Sequence, residues 1–333
     1  MQIFRSLQEI PSHYGPSVVT IGNFDGVHRG HLAVLSDVNA RARSLNARSV
    51  AVTFDPHPVR VLHPESGLRM ITQPAQKLDL LARTGIEAAL VLPFTQALSR
   101  LTAREFAREV LRDALGAVEV EEGENFRFGA DARADVNELA ALGAEFGFTA
   151  RVHRPTLWRG QVVSSSAVRS AIAQGDLRAA RQMLGRTFEI ISSPAPGRGY
   201  GSVYTVPTIN LAPYPELLPA NGVYATCLKI QEERFPAVTN IGNRPTFGPD
   251  SFAVETHILN FHPLMLDETT ELRLEFLDWI RAEKKWPSPD ALKAQIVRDI
   301  ARARHYFDLV AAICSPAGQQ LAEMEQHKAS PPR

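Results

Sequence analysis

Residues 18–32, from Val18 to Leu32, read VVTIGNFDGVHRGHL and decide the fold of the first half of the chain. An apolar, β-branched run leads into a loop punctuated by glycine, and apolar residues at helical spacing, such as Leu35 and Val38, follow. This order predicts a strand, a loop and a helix. In α/β folds such a loop lies in the ligand crevice at the carboxyl end of a strand.

Two histidines, His28 and His31, lie where this helix should begin, and residues three apart share one helix face. The first turn of a helix offers free N–H groups and a positive dipole end to an anion. These residues therefore favour a polyphosphate site. A metal-binding pair and two solvated histidines are the alternatives, although no third ligand of obvious spacing lies nearby. The lysine and glycine spacing of a Walker A loop are missing.

Residues 22–31, GNFDGVHRGH, resemble the GxFDGVHxGH motif of prokaryotic riboflavin kinase/FAD synthetases, whose adenylylating half is an HxGH nucleotidyltransferase. The resemblance implies that His28 and His31 are catalytic residues. It also implies ATP or phosphate contacts by further residues of this segment: Gly22, Phe24, Asp25, Gly26 and Gly30.

Composition limits the function classes. A length of 333 residues predicts about two domains. Lys plus Arg and Asp plus Glu both total 36, which argues against general nucleic-acid binding. Cys227 and Cys314 form no metal or redox motif, and this favours a reducing compartment. Because no signal-peptide pattern or apolar run of transmembrane length occurs, we expect a cytoplasmic protein without membrane or nucleic-acid partners.

Strand and helix patterns alternate through the first half of the chain. Strands are predicted at 49–54, 88–92, 118–120 and 149–153, and helices at 74–83, 102–116 and 136–146. Thr102 and Glu105 form a predicted capping box. The alternation predicts a doubly wound, Rossmann-like parallel sheet over residues 1–185. The resemblance implies that this domain is an HxGH nucleotidyltransferase.

The pattern changes near residue 186 to short β-rich runs separated by Pro and Gly. These runs lie at 188–191, 222–226, 235–239, 253–258 and 271–276. Their spacing predicts a small antiparallel β-barrel over residues 186–312. The resemblance to riboflavin kinase/FAD synthetases implies that this barrel is riboflavin kinase-like. Ser288 and Pro289 predict the start of a C-terminal helix that continues through Phe307. Residues 313–333 are expected to form a frayed polar tail.

Two further segments of the first half resemble the same family. One is the sequence DPHP after a predicted strand, where a rigid proline turn is the alternative. The other is residues 123–129, GENFRFG, although Ala134 stands where the family has glycine. The resemblance implies flavin contacts by residues of both segments, with aromatic stacking in the second: Asp55, Pro56, His57, Pro58, Asn125, Phe126 and Phe128.

Residues 163–169, VSSSAVR, place hydroxyl groups and an arginine at a predicted helix start. Hydroxyls cap a helix or bond phosphate oxygens, and a guanidinium matches phosphate geometry, but a serine cap with a surface arginine is the alternative. The segment resembles the family's ISSTxxR, which implies phosphate contacts by Ser164, Ser165 and Ser166 and a catalytic Arg169. The implied reaction is attack of the FMN phosphate on the α-phosphate of ATP, aided by Mg²⁺.

Alternating glycines at Gly197, Gly199 and Gly201 would let backbone approach a phosphate closely. Thr208 and Asn210, two apart in an extended segment, can face one Mg²⁺, while a glycine-rich barrel corner is the alternative. Residues 207–210, PTIN, resemble the PTAN motif of riboflavin kinases, which implies a metal site at this pair.

Other segments of the second half also resemble riboflavin kinases: NGVYA at 221–225, NIGNRPTFG at 240–248, VETH at 254–257 and RAEKKW at 281–286. The resemblance implies that Glu255 is the base for the 5′-hydroxyl of riboflavin, with a buried, salt-bridged glutamate as the alternative. It implies flavin contacts by Arg281 and Trp286, and Trp286 stands where phenylalanine is usual.

Departures from the kinase pattern lie at Ser202, Thr205 and Val206, where the family has Arg, Gly and an aromatic residue, so we expect a weaker or altered kinase. The resemblance over residues 15–310 predicts a bifunctional enzyme that uses riboflavin, FMN and ATP with Mg²⁺ and yields FAD; self-association is left open. The alternatives are a monofunctional FAD synthetase, a non-catalytic flavin-binding protein, and an adenylyltransferase for pantetheine phosphate or nicotinate mononucleotide.

Overall fold

The computed structural model describes residues 1–195, 208–243, 252–260 and 266–314. The chain forms two compact units. The first comprises Met1–Ser170 and Arg181–Arg186, and the second comprises Ala171–Ala180 and the described residues from Thr187 onward. Within the described ranges, no helix is long and apolar enough to cross a lipid bilayer.

The first unit is built on a six-stranded parallel sheet. Its strands are β1 (Gln2–Phe4), β2 (Ser17–Ile21), β3 (Arg48–Asp55), β4 (Ala88–Pro93), β5 (Ala117–Gly123) and β6 (Thr149–His153). They lie in the order β1-β4-β3-β2-β5-β6, and every neighbouring pair is parallel. The order reverses between β2 and β5, which creates a topological switch point after β2.

The α-helices of this half of the chain lie between and after these strands, and a short hairpin follows β6. The helices are α1 (Arg29–Ser44), α2 (Pro58–Leu62), α3 (Pro74–Ala82), α4 (Gln96–Ser99), α5 (Ala103–Phe106), α6 (Val136–Phe146), α7 (Ser165–Ala173) and α8 (Leu177–Leu184), and the hairpin is β7 (Leu157–Trp158) with β8 (Gln161–Val162). Val18 packs in the same core as Leu35, whereas Val19 packs in a second core with Val110 and Leu139. The two faces of β2 are thus both buried, and the predicted doubly wound parallel sheet is confirmed.

The second unit contains a curled antiparallel sheet. Its strands are β9 (Phe188–Ser192), β10 (Thr208–Asn210), β11 (Gly222–Ile230), β12 (Glu233–Asn243), β13 (Phe252–Ile258) and β14 (Leu272–Ala282), in the order β10-β13-β12-β11-β14-β9. A bridge between Pro194 and Leu211 joins the two outer strands, as in a small barrel. Helix α9 (Pro289–Cys314) follows, and Ala303 on this helix packs with Val223 and Ile280. The predicted barrel class and C-terminal helix are confirmed.

Three buried threonine hydroxyls form a row inside the second unit. Thr239 Oγ1 lies 2.7 Å from Thr226 Oγ1 and 2.9 Å from Thr256 Oγ1. We expect Thr239→Val to lower the unfolding free energy by about 1–3 kcal/mol, because the two outer hydroxyls lose their buried partner. Urea-induced unfolding of the full chain measures this change. Valine at all three positions should restore most of the loss, and a single variant as stable as the parent would contradict the expectation.

Candidate active sites

The loop from Gly22 to His28, the histidine loop, links β2 to α1 at the topological switch point. Its backbone has positive φ at Phe24 (48°), Gly26 (80°) and Val27 (37°). A positive φ is a rare conformation for a β-branched residue, and such strain persists where the surroundings hold the chain in place. The loop is therefore a fixed structure whose shape is set by contacts from other segments.

Those contacts come from three distant parts of the first unit. The Gly26 N–H donates to Thr72 Oγ1 at 3.1 Å, and Ser165 Oγ donates to the Asp25 carbonyl at 2.9 Å. Arg186 Nη2 donates to the Gly26 carbonyl at 2.8 Å. A loop held in this way is preorganised and needs little rearrangement when a ligand binds.

His28 and His31 form one stacked pair at the start of α1. The His28 ring caps the helix, since its Nδ1 accepts the His31 backbone N–H at 3.3 Å. The two rings stack with centroids 3.6 Å apart, and the edge of Phe24 packs on His31 at 5.1 Å. A Cβ at Gly30 would lie 3.1 Å from the His28 ring, so glycine leaves the space that this ring occupies.

Burial keeps both imidazoles neutral at pH 7. It lowers the pKa of His28 from 6.5 to about 4, with a further lowering by Arg186. It also lowers the pKa of His31 well below the usual value, and the neighbouring His28 and the positive charge of Lys77 act in the same direction. Because His28 Nδ1 accepts a hydrogen bond, the proton of its neutral ring lies on Nε2, which is free to donate to a phosphate oxygen.

The lowered pKa of His28 predicts a pH-dependent stability. The unfolded chain takes up this proton near pH 6.5 and the folded chain only near pH 4. The contribution of His28 to the unfolding free energy is therefore fully present above pH 6.5. This contribution, about 3 kcal/mol, is lost as the pH falls towards 4. Urea unfolding at pH 7 and at about pH 4 should show a smaller decrease for His28→Asn than for the parent. An equal decrease in both proteins would contradict the assignment.

Arg169 is held beside this loop by Asp25. Its Nη2 lies 2.7 Å from Asp25 Oδ2, and its Nε donates to the Arg69 carbonyl at 3.0 Å. The Asp25 carboxylate is 3% exposed and also accepts the backbone N–H of Ile71 at 2.9 Å. The structure thus brings the predicted catalytic arginine to the histidine loop, while the Asp25 side chain ties that arginine to the segment before α3.

The three predicted serines differ in their contacts. Ser164 Oγ accepts the Ala167 backbone N–H at 3.2 Å and so caps the first turn of α7. Ser165 reaches the histidine loop through the Asp25 carbonyl, and Ser166 is exposed. The start of α7 is therefore joined to the loop that precedes α1.

The predicted flavin segments follow the two strands that flank β2. The first is the DPHP turn after β3, where a cis peptide joins Asp55 to Pro56 and His57 caps α2 by accepting the Val59 N–H at 3.2 Å. Burial lowers the pKa of His57 to about 4, and the charges of Asp25, Lys77 and Arg169 all act on it. Thr53 Oγ1 donates to the Asn23 carbonyl at 3.3 Å, so the strand end that leads to His57 contacts the histidine loop.

The second segment is the loop after β5. Phe126 and Phe128 stack with ring centroids 5.3 Å apart, and Phe128 also packs on Phe106 in the core. Asn125 is exposed at the loop tip. Ala134, which replaces the family's glycine, pairs with Phe128 in an antiparallel bridge. The structure therefore buries Phe128 and leaves Asn125 and part of Phe126 accessible.

Sequence reasoning missed two residues of this site, Lys77 and Arg186. The Lys77 ammonium donates to the Asn23 carbonyl in the histidine loop at 3.3 Å. Arg186 donates to the same loop at Gly26. One signal was available for Lys77, because it is the only lysine before residue 229 in a chain rich in arginine.

The second unit aligns polar residues across three neighbouring strands. Asn210 on β10 pairs with Glu255 on β13, and Glu255 pairs in turn with Asn240 on β12. Residues on adjacent strands in register share a face of the sheet. The neighbouring Thr256 is fully buried, so Glu255 lies on the opposite face. Thr208 lies on the same face as Asn210, two residues earlier.

Arg281 and Trp286 lie together at the end of β14. The Arg281 guanidinium stacks over the Trp286 ring at 5.5 Å, and its Nη2 pairs with the buried Asp299 of α9 at 2.8 Å. Arg281 is thus tied to the C-terminal helix. The remaining predicted residues of this half lie outside the described residues: Gly197, Gly199, Gly201, Ser202, Thr205 and Val206.

One group of side chains in the described part of the chain combines three possible metal ligands, namely Asp37, Glu121 and His153. Its carboxylates already face both ring nitrogens of His153, at 3.2 Å from Asp37 and 2.5 Å from Glu121. This arrangement is that of a histidine held between two acids. None of the predicted site residues belongs to it.

Known proteins resemble both units of the chain. Residues 10–167 match the family model of FAD synthetase, and residues 184–307 match that of riboflavin kinase. The bifunctional riboflavin kinase/FMN adenylyltransferase of Pseudomonas fluorescens is 36% identical over 91% of this chain and 97% of its own length. The protein of the same name from Escherichia coli K12 is 34% identical over 88% and 93%. A crystal structure described as a macrolide-efflux protein from Streptococcus pneumoniae is 28% identical, with a TM-score of 0.82 over 91% of this chain and 98% of that one.

Proposed function

Because this chain belongs to the family of bifunctional riboflavin kinase/FMN adenylyltransferases, we propose that its first unit adenylylates FMN and its second unit phosphorylates riboflavin. The protein is an enzyme of flavin synthesis, a kinase and a nucleotidyltransferase in one chain. The observation that carries the assignment of sites is the fixed loop with His28 and His31 in the unit that matches FAD synthetase. The two family matches argue against a monofunctional enzyme, a non-catalytic flavin-binding protein and an adenylyltransferase for other substrates.

In the first unit, neutral His28 and His31 donate N–H groups to phosphate oxygens of ATP, together with free backbone N–H groups of the α1 first turn. Arg169 adds a positive charge that Asp25 holds in place. An oxygen of the FMN phosphate forms the new bond to the α-phosphorus as the bond to pyrophosphate breaks. Because this nucleophile is already an anion, alignment and charge stabilisation replace a general base.

The flavin of FMN is assigned to the loops after β3 and β5, which flank the histidine loop in the sheet. His57, Asn125 and Phe126 offer hydrogen bonds and an aromatic face there. We also propose flavin contacts by Asp55, Pro56 and Pro58, while Phe128 contributes by supporting the Phe126 ring from the core. We likewise propose that the histidine loop and the three serines contact phosphate oxygens of ATP.

In the second unit, Glu255 takes the proton of the riboflavin 5′-hydroxyl as that oxygen attacks the γ-phosphate of ATP. Thr208 and Asn210 would hold Mg²⁺, since hard oxygen donors on one face of β10 beside a carboxylate suit this ion. The ion would neutralise charge on the transferring phosphate. Arg281 and Trp286, held beside α9, are assigned to the flavin ring.

The proposed function also implies domain boundaries and a cellular location. We place the adenylyltransferase domain at residues 1–185, the kinase domain at 186–312 and a polar tail at 313–333. A chain with two well-separated cysteines and ATP as co-substrate fits a cytoplasmic location. The weaker kinase expected from Ser202, Thr205 and Val206 stays a prediction, and self-association stays open.

Separation of the flavins by chromatography tests the proposal. The purified chain is incubated with ATP and Mg²⁺, once with riboflavin and once with FMN. We expect FAD from both flavins. FAD from FMN but no product from riboflavin would contradict the kinase assignment, and no product from either flavin would contradict both.

A further inference from the structure

Lys77 is an unusual residue in this chain. The sequence contains 30 arginines and six lysines, and Lys77 is the only lysine before Lys229. It lies on α3, away from every motif recognised in the sequence, yet its side chain reaches the histidine loop. The first unit, whose other long-chain cations are all arginines, thus has a lysine at this one point.

The surroundings of Lys77 fit an ammonium group. The residue is 9% exposed, and its Nζ donates to Asn23 O at 3.3 Å, Thr53 Oγ1 at 3.1 Å and Phe54 O at 3.1 Å. Three acceptors satisfy the three N–H groups of an ammonium, whereas a planar guanidinium presents five donors in a rigid fork. Asn23 belongs to the loop after β2, and the other two residues belong to the end of β3. Lys77 therefore joins two segments that each lead into a part of the proposed site.

The charge of Lys77 also acts on the site. Burial lowers the pKa of Lys77, while the carboxylates of Asp55 and Asp25 oppose this effect and favour the ammonium form. The positive charge in turn lowers the pKa of His31, after the larger effects of burial and His28. It lowers the pKa of His57 in the same way.

We propose that Lys77 is a positioning residue for adenylyl transfer, which fixes the loop of His28 and His31 to the strand end that leads to His57. This inference rests on the proposed function of the first unit. Lys77 touches backbone and a hydroxyl rather than substrate, so its effect passes through the two segments that it joins. Loss of this link lets the ATP side and the flavin side of the site shift relative to each other, and a misplacement of about 1 Å costs about 10²-fold in rate.

The test compares two substitutions at one position in the full-length protein. Lys77→Met keeps the length of the side chain and removes the charge, whereas Lys77→Arg keeps the charge and changes the donor geometry. We expect kcat for FAD formation from FMN and ATP to fall about 10²-fold in both. FMN formation from riboflavin should stay within about twofold of the parent, and this second activity of the chain reports that the variants are folded. Arg83→Met, which removes an exposed positive charge at the end of α3, is the matched control and should leave both rates unchanged.

An NMR titration of the histidines checks that the charge of Lys77 acts at the site. The charged groups that act on His57 are Asp25, Lys77, Arg169 and Arg60, and only Asp25 raises its pKa. Removal of the Lys77 charge therefore raises the pKa of His57 above its value of about 4. We expect this rise in Lys77→Met and not in Lys77→Arg.

The outcomes separate this inference from the proposed function. An FAD-forming rate equal to the parent in Lys77→Met would overturn the role of Lys77 while leaving the proposed function intact. Parallel loss of both activities would overturn it as well, because Lys77 would then act only through folding. A parent chain that forms no FAD from FMN, yet forms FMN from riboflavin, would overturn the proposed function of the first unit and this inference with it.

Discussion

In the His28→Ala variant, flavin synthesis should stop at FMN. Removal of one preorganised donor at a site of developing phosphate charge typically costs about 10²–10³-fold in kcat. We therefore expect FAD formation from FMN and ATP to fall by that factor, while FMN formation from riboflavin stays within about twofold of the parent. With riboflavin as the only flavin, FMN should accumulate, and chromatographic separation of the flavins measures this directly.

His63→Ala is the matched control for this variant. His63 lies in the same unit with 66% of its side chain exposed, so the substitution removes an imidazole without touching the loop. It should leave both activities unchanged. Equal FAD formation by His28→Ala and His63→Ala would contradict the role of His28. Equal loss of FMN formation and FAD formation in His28→Ala would indicate unfolding instead of a catalytic effect.

Glu255→Gln should produce the opposite pattern. Glutamine keeps the size of the side chain but cannot accept the proton of the riboflavin hydroxyl, and a general base typically contributes about 10²–10⁴-fold. We expect FMN formation from riboflavin to fall by a factor in that range, whereas FAD formation from added FMN stays unchanged. The measurement is the initial rate of each reaction in the same preparation.

Glu271→Gln provides the control in the second unit. This carboxylate is 59% exposed and pairs with Arg273 at the surface, away from the row formed by Asn210, Glu255 and Asn240. It should leave the kinase rate unchanged. A kinase rate in Glu255→Gln equal to that of Glu271→Gln would remove Glu255 from the mechanism.

Elements with a strong local pattern could be predicted from the sequence. Helix Val136–Phe146 and strand Thr149–His153 occur at the predicted bounds, because capping by Asp135 and the apolar period are encoded locally. The capping box of Thr102 and Glu105 also forms as predicted. Strand β11 extends beyond the predicted end at Thr226 to Ile230, since its pairing with β12 continues as far as Ile230 and Glu233.

The contacts that hold the histidine loop in place could not be predicted, because they join segments that lie far apart in sequence. Lys77 reaches Asn23 across 54 positions, and Arg169 reaches Asp25 across 144. Only the strand order brings these residues together. Local sequence also could not show that Phe128 packs on Phe106 in the core, since an aromatic residue in a loop pattern fits stacking on a ligand equally well.

A mixing experiment tests most directly the claim that one chain carries two separate active sites. His28→Ala and Glu255→Gln proteins are combined and given riboflavin, ATP and Mg²⁺, with each variant alone as the control. The account predicts that His28→Ala alone yields FMN, that Glu255→Gln alone leaves riboflavin unchanged, and that the mixture yields FAD. A mixture that forms no FAD, although Glu255→Gln converts added FMN to FAD, would contradict it.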